Sequence, residues 1–151
     1  MKLDGTFTFS GPRATVWDLL QDPEVLARAL PGTERLELSS PDHYRGLMQL
    51  SIGPVTCARF DVAVALNDKV APERFVMQID GKGSVGHARG TAAVELSDAA
   101  DGGTTMRYTS NLLVGGTIAA VGQRLLDTVS RSMMRQALDS LEREVRSRLG
   151  R

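Results

Sequence analysis

The last third of the sequence predicts a strand that turns directly into one long helix, and this pairing restricts the folds open to the chain. The strand ends with Leu112 and Val114, and glycines follow at positions 115 and 116. Thr117 has a side chain suited to cap a helix N-terminus, and no proline occurs from residue 118 to residue 149. The sequence therefore predicts one helix from Thr117 to Leu149.

The predicted helix carries an apolar stripe that shifts around its surface. An α-helix turns about 100° per residue, so a four-residue step moves the stripe by about 40° each time. The two halves of the stripe must therefore contact differently oriented surfaces, as on a helix that crosses a curved sheet and overruns its edge. The first half comprises Val121, Leu125, Val129 and Met133, and the second comprises Met134, Leu138, Leu141 and Val145.

Length and charge set limits on the class of protein. A chain of 151 residues is long enough for one core, and we expect residues 1–151 to form a single domain. The 18 basic and 18 acidic residues leave no net charge, which argues against a nucleic-acid-binding protein. Because there is one cysteine and no apolar run of signal-peptide length at the start, we expect a cytoplasmic protein without disulfides.

Alternation of apolar and polar residues predicts seven strands. Residues 2–9 form the first, with Leu3, Phe7 and Phe9 on one face. Two short helices follow, and Pro23 opens the second of them. Six more strands lie between residues 33 and 114, separated by turn signals at residues 40–42, 53–54, 71–73, 81–83 and 101–103.

The same alternation sorts the strand residues onto two faces. One face holds only uncharged residues between Leu36 and Val114, whereas the other takes polar and charged residues such as His43, Arg45 and His87. We therefore expect an α+β fold. A curved, seven-stranded antiparallel sheet would wrap around the long C-terminal helix, with two short helices after the first strand.

Four groups of residues make the sequence resemble one protein family over nearly its whole length. In chain order they are the segment 16–26 with Leu30-Pro31-Gly32, the segment 52–55 with Phe60, the segments 81–84 and 90–92, and the segment 115–119 with Gly122, Arg124 and Leu125. In this order and at this spacing they are similar to the carbon monoxide dehydrogenase G-subunit family, which has the helix-grip fold of the START and Bet v 1-like (SRPBCC) superfamily.

The resemblance implies a bacterial accessory protein without catalytic activity. Members of the family are thought to bring an aerobic-type molybdenum hydroxylase, such as carbon monoxide dehydrogenase, to the cytoplasmic membrane. They are also thought to hold an apolar ligand in the helix-grip cavity. We therefore expect an association with such a hydroxylase for recruitment or electron transfer, a bound quinone or lipid, and no covalent cofactor.

The resemblance also bears on location and assembly. Better-known members continue with a Pro/Ala-rich linker and a membrane-binding tail, whereas this sequence ends with Leu149-Gly150-Arg151. We therefore expect a cytoplasmic monomer or homodimer with at most peripheral contact at the inner face of the membrane.

The predicted inner face independently indicates a cavity. Ala88, Gly90 and Ala92 are small residues between longer side chains. They either leave space for a ligand or let the strand approach the long helix closely. The residues that we expect to bind the ligand are Met48, Phe60, Val62, Met77, Ala92, Tyr108, Leu112, Leu125, Val129 and Met133.

The two halves of the helix have different expected roles around this cavity. The first half should close it over Phe60, Met77 and Tyr108. The second half is where we expect a protein partner, with coverage of the two short helices as the alternative.

Few polar groups are expected inside. Tyr44, Tyr108 and Ser110 are the inward hydroxyls that we identify, and one of them would donate a hydrogen bond to a quinone carbonyl. For Tyr108 the alternative is a hydrogen bond to the backbone.

The sequence offers no catalytic or metal-binding constellation. His43 and His87 fall on the predicted outer face without another His or Cys at ligand spacing, and Cys57 is expected to point outward. Two alternatives to a ligand carrier stay open. A polyketide cyclase- or hydrolase-like enzyme of the same superfamily would need ionisable groups inside the cavity, and a ligand-free assembly factor would have a filled core.

Overall fold

Seven strands, two short helices and one long helix follow one another in the predicted order. The structure is a computed structural model that describes residues 1–150, except for the side chains of Thr56 and Cys57. The elements are β1 (Lys2–Phe9), α1 (Arg13–Gln21), α2 (Pro23–Ala29), β2 (Thr33–Ser40), β3 (His43–Ile52), β4 (Val55–Val70), β5 (Arg74–Gly83), β6 (Gly86–Asp98), β7 (Thr104–Gly115) and α3 (Gln123–Arg148). Short 3-10 helices occupy Ala100–Gly102 and Thr117–Val121.

The strands form one antiparallel sheet in the order β1-β7-β6-β5-β4-β3-β2. The chain returns at its end to place β7 beside β1, and α1 and α2 connect β1 to the opposite edge at β2. Strand pairing aligns Val62 with Gly81, Gly81 with Ala88, and Ala88 with Val114. The predicted inner face and the predicted α+β class are therefore confirmed.

The second short helix begins at Pro23, as the sequence predicts. Asp22 separates α1 from α2, and its side chain accepts a hydrogen bond of 3.0 Å from the backbone N–H of Glu24. Pro23 occupies the first turn of α2, where its missing N–H has no intrahelical acceptor to lose. The carboxylate and the proline together fix the start of α2.

The predicted turn at residues 81–83 is wrong. Strand β5 continues through Gly83, and the turn is formed by Ser84 and Val85. Glycine is required at position 83 because a Cβ there would collide with the backbone carbonyl of Arg59 on β4. The glycine permits close strand packing, and the sequence pattern does not distinguish this role from a turn.

The predicted direct passage from β7 into one helix is also wrong. Gly116 has φ 85° and Gly122 has φ 98°, values that favour glycine. The 3-10 helix lies between them, and α3 begins only at Gln123. Thr117 does not cap α3, since Gly122 stands at that position.

Two apolar clusters fill opposite ends of the space under α3. The large cluster joins the second half of α3 to β1, α1, α2 and one end of the sheet; its most buried members include Phe9, Val16, Leu19 and Val145. The small cluster joins the first half of α3 to the 3-10 helix and to β3 and β4; its buried members are Ile52, Ala58, Phe60, Ile118 and Leu126.

The second half of α3 does not present a free apolar face. Leu138, Leu141 and Val145 are all buried, with Val145 at 0 % exposure, and they belong to the same cluster as Val16 and Leu19 of α1. Our expectation of a partner on this half of the helix is therefore wrong. The alternative, coverage of the two short helices, is what the structure shows.

Candidate functional site

The space between α3 and the middle of the sheet is the candidate site. The backbone of α3 neighbours β1 and β3 at more positions than it neighbours any of the four strands between them. The sheet thus curves away from the helix at its centre. We call this region the central interior, bounded by α3 and by the inner-face residues of β4 to β7.

The predicted ligand-binding residues of the strands all lie on the inner face of the sheet. Phe60 pairs with Met48, and Met77 pairs with Ala92. Two further pairs of inner-face neighbours, Val62 with Gly81 and Leu112 with Gly90, share this orientation. Tyr108 pairs with Gly5 and Val94 on the same face.

Burial separates these residues into two groups. Phe60 and Ala92 are each 7 % exposed. The other predicted residues are only partly buried, although all are apolar or aromatic: Met48, Val62, Met77, Tyr108, Leu112, Leu125, Val129 and Met133. An apolar side chain that points inward but stays partly accessible to solvent indicates unfilled space beside it.

The predicted residues also divide between the two clusters. Phe60, Val62, Leu125 and Val129 pack in the small cluster, so the first half of α3 closes over Phe60 as expected. Met77 and Tyr108 instead pack against the large cluster. Met48, Ala92, Leu112 and Met133 belong to neither cluster.

The two inner-face glycines Gly81 and Gly90 have different structural roles. A Cβ on Gly81 would lie 3.8 Å from the Ala88 carbonyl oxygen and 3.9 Å from Val62 Cγ2, which are ordinary contact distances. A Cβ on Gly90 would collide with the backbone of Asn111 and Leu112 on β7. Gly90 therefore serves strand packing, and the close approach to the helix that we considered does not apply there. Gly81 is buried, but a Cβ at this position would meet its neighbours only at ordinary contact distances.

The inward hydroxyls are mostly engaged by the protein. The hydroxyl of Tyr44 donates a 2.6 Å hydrogen bond to the carbonyl of Gln21, and burial together with Asp42 and Asp22 raises the pKa of this phenol. The hydroxyl of Ser110 donates to the carbonyl of Leu3 at 3.1 Å. Thr104, an inward hydroxyl that was not predicted from the sequence, is fully buried and donates to the carbonyl of Gly11 at 2.8 Å.

Tyr108 differs from these three residues. Among the described residues its hydroxyl has no hydrogen-bond partner, and it lies against Gly5, where any Cβ would collide with the phenol. The backbone hydrogen bond considered for Tyr108 is absent from the described part of the chain. Its hydroxyl is therefore a free polar group at the edge of the central interior.

Charged groups lie at the rim of the interior. Asp98, at the end of β6, shares the inner-face alternation but is exposed and accepts a 2.9 Å hydrogen bond from Arg13. At the other described inner-face positions of β4 to β7 that pair with a neighbouring strand, no residue is charged, as predicted. At these strand positions the interior offers apolar contacts and the free hydroxyl of Tyr108.

Glu142 of α3 contacts Ser10, the residue that follows β1. Burial raises the pKa of Glu142, but hydrogen bonds from the Ser10 backbone N–H (3.0 Å), Arg146 (3.0 Å) and the Ser10 hydroxyl (3.3 Å) outweigh burial and lower the pKa. The ionised carboxylate thus anchors α3 to the end of β1. This role is structural.

The described residues contain no group of His, Cys, Asp and Glu side chains placed to hold a metal ion. His43 and His87 are both exposed on the outer face. The prediction that Cys57 points outward falls on a side chain outside the described residues. Within residues 1–150, no helix has the length and hydropathy needed to cross a bilayer.

Two surface clefts lie away from the central interior. The larger, about 510 Å³, is lined by residues of the β5–β6 turn and by Lys82, His87, Arg89, Leu113 and Thr117. The smaller, about 250 Å³, lies between α2 and α3 beside Arg28 and Arg143. Neither cleft was predicted from the sequence. The alternation did place His87 and Arg89 on the outer face, but the way they meet Lys82 depends on strand register.

Comparisons with known proteins identify a family and a fold. The family model for the G subunit of carbon monoxide dehydrogenase (CoxG) matches residues 5–146. A comparison with curated proteins gave no match.

Solved structures repeat this architecture. A conserved protein from Geobacillus kaustophilus is 26% identical, with 97% of this chain and 96% of that chain covered at a TM-score of 0.92. A START superfamily protein from Mycobacterium smegmatis is 10% identical (97% and 97% covered, TM-score 0.73). The Zhui aromatase/cyclase from Streptomyces sp. R1128 is 16% identical (99% and 95% covered, TM-score 0.72). The last two show the fold alone.

Proposed function

The chain belongs to the carbon monoxide dehydrogenase G-subunit (CoxG) family, and we propose that it is a non-catalytic accessory protein that binds an apolar ligand in the central interior. The observation that carries this proposal is the partial exposure of inward apolar side chains between two well-packed clusters. A filled core would bury Met48, Leu112 and Met133 as fully as it buries Leu141, and this weighs against a ligand-free assembly factor.

The free hydroxyl of Tyr108 supports a ligand with one hydrogen-bond acceptor. Apolar binding sites commonly use a few polar groups to orient a ligand. A quinone carbonyl or the carbonyl of a lipid ester accepts such a hydrogen bond, while its ring or chain contacts the methionines and branched residues of the interior. We propose a quinone or a lipid as the ligand.

The partner follows from the family. We propose that the protein serves an aerobic-type molybdenum hydroxylase in the cytoplasm, for recruitment or electron transfer, with at most peripheral membrane contact. A binding role is favoured over a cyclase-like reaction because the described inner face around the central interior provides no acid or base to move a proton.

The ligand is tested by titration with short-chain quinones and with a fatty acid. Binding is measured by the fluorescence of Trp17 and by calorimetry. Gly81→Leu should place a side chain in the central interior without a backbone collision and weaken binding by about tenfold or more, since it occupies ligand space. Gln78→Leu is the matched control, because it adds an apolar side chain to the exposed outer face of the same strand.

Saturable binding that Gly81→Leu weakens and Gln78→Leu leaves unchanged supports the proposal. No binding of any of these probes, or equal losses in both variants, would contradict it. The hydroxylase is tested separately by affinity purification of the tagged chain from its own host and an assay for hydroxylase activity. Failure to recover the enzyme would overturn the partner and leave the ligand site standing.

A further inference from the structure

The larger surface cleft has the features of an anion site on the outer face of the sheet. Strand register places Lys82 opposite His87, and His87 opposite Gly115. A Cβ on Gly115 would lie 2.6 Å from the imidazole, so the ring of His87 covers this glycine. Lys82, His87 and Arg89 are therefore neighbours on the outer face, and all three line the cleft.

Several donor groups line this cleft, and three of them lack a described protein partner. Among the described residues, no hydrogen bond or ion pair engages the side chains of Lys82, Ser84 or Thr117. Arg89 faces Asp80 at 3.6 Å, a separation that leaves most of its guanidinium donors available. Asp80 is not among the residues that line the cleft.

An exposed apolar residue adjoins the same donors. Leu113 pairs with Arg89 and is 72 % exposed, the highest value among the large apolar residues described as exposed. The cleft, of about 510 Å³, is open to solvent and has more space than a bare inorganic anion needs. A ligand with an anionic group and an organic part fits both features.

We propose that this cleft binds a phosphate group carried on an organic molecule. Lys82 and Arg89 would neutralise the phosphate, the hydroxyls of Ser84 and Thr117 would donate to its oxygens, and Leu113 would contact the organic part. A phosphate is favoured over a carboxylate because it offers more acceptor oxygens to the four donor side chains that line the cleft. The site lies on the opposite face of the sheet from the central interior and does not depend on the ligand proposed there.

The experiment is an NMR titration of the full chain in phosphate-free buffer, with inorganic phosphate, glycerol 3-phosphate, and vesicles of phosphatidylglycerol or phosphatidylcholine. Amide shifts should concentrate at residues 82–89 and 113–117. Lys82→Gln with Arg89→Gln should weaken binding by roughly tenfold or more. Arg45→Gln with Arg107→Gln removes the same charge from exposed outer-face positions away from the cleft and should have no effect.

The arms of the titration distinguish the source of the phosphate. Binding of glycerol 3-phosphate identifies a free organic phosphate, and selective binding of phosphatidylglycerol vesicles identifies a lipid headgroup; either result supports the site. Absence of all binding would overturn the proposal. Equal weakening by the two double variants would also overturn it, because that outcome reports only net charge.

Discussion

The two halves of α3 carry similar apolar side chains but lie in different surroundings. The second half packs against α1, α2 and β1, and Leu138, Leu141 and Val145 are buried. In the first half, Leu125 and Val129 stay partly exposed, as does Met133 at the middle of the helix. The elements that cover α3, and not the apolar pattern of the helix, therefore decide which part of the interior stabilises the fold and which part is open to a ligand.

The largest effect should come from matched truncations in the two halves. Leu141→Ala removes a buried side chain and should lower the free energy of unfolding by about 2–5 kcal/mol. Met133→Ala removes a side chain that is already partly exposed and should cost less than about 1 kcal/mol. Urea denaturation of both variants measures the difference, and equal losses would show that the two halves are equally packed.

A second prediction concerns Glu142, which anchors the second half of α3 to the end of β1. Glu142→Gln removes the carboxylate that accepts hydrogen bonds from Ser10 and Arg146, and it should destabilise the fold near neutral pH. Since the pKa of folded Glu142 is lowered, its contribution is present above the ordinary glutamate pKa and is lost as the pH falls through the folded pKa.

This contribution is tested by measuring the free energy of unfolding of Glu142→Gln and of the parent chain over a pH series. The stability difference between Glu142→Gln and the parent chain should shrink toward acid pH. A difference that is constant with pH would mean that the charge of Glu142 has no role in the anchor.

The smallest expected changes in stability and ligand affinity come from removing the hydroxyls of Tyr44 and Tyr108. Tyr44→Phe removes the hydrogen bond to Gln21 and should cost about 1 kcal/mol of stability, with little change in ligand affinity. Tyr108→Phe removes a hydroxyl without a described protein partner, so stability should stay nearly constant while binding of a quinone weakens by a few-fold, about 0.5–1 kcal/mol. Thermal denaturation and ligand titration of both variants test this. A loss of stability in Tyr108→Phe would contradict the prediction, because it would mean that the hydroxyl of Tyr108 stabilises the fold.

Much of the fold follows from local sequence patterns. Alternation with a period of two residues assigns the inner face of β5, β6 and β7 correctly, since the pairing of these strands has no register shift. The start of α2 is also local, because Asp22 and Pro23 act within one turn. The inner-face positions of the candidate residues in the sheet were predictable for the same reason.

Other features depend on contacts between distant residues. Gly83 resembles a turn residue in the sequence, but its role is set by the backbone of β4. Gly122 interrupts a pattern that otherwise favours a continuous helix. The exposure of Met133 and the burial of Leu141 depend on which elements cover each part of α3, which the apolar stripe does not encode.

The most direct test of a ligand site in the central interior is methyl NMR of the methionines, with a short-chain quinone as the probe. The chain has six methionines, and Met106, at 4 % exposure in the large cluster, serves as the internal control. Methyl signals of Met48, Met77 and Met133 should shift with a common affinity while Met106 stays in place. Unchanged signals for those three residues at saturating quinone, or a shift of Met106 equal to theirs, would contradict a ligand site in the central interior.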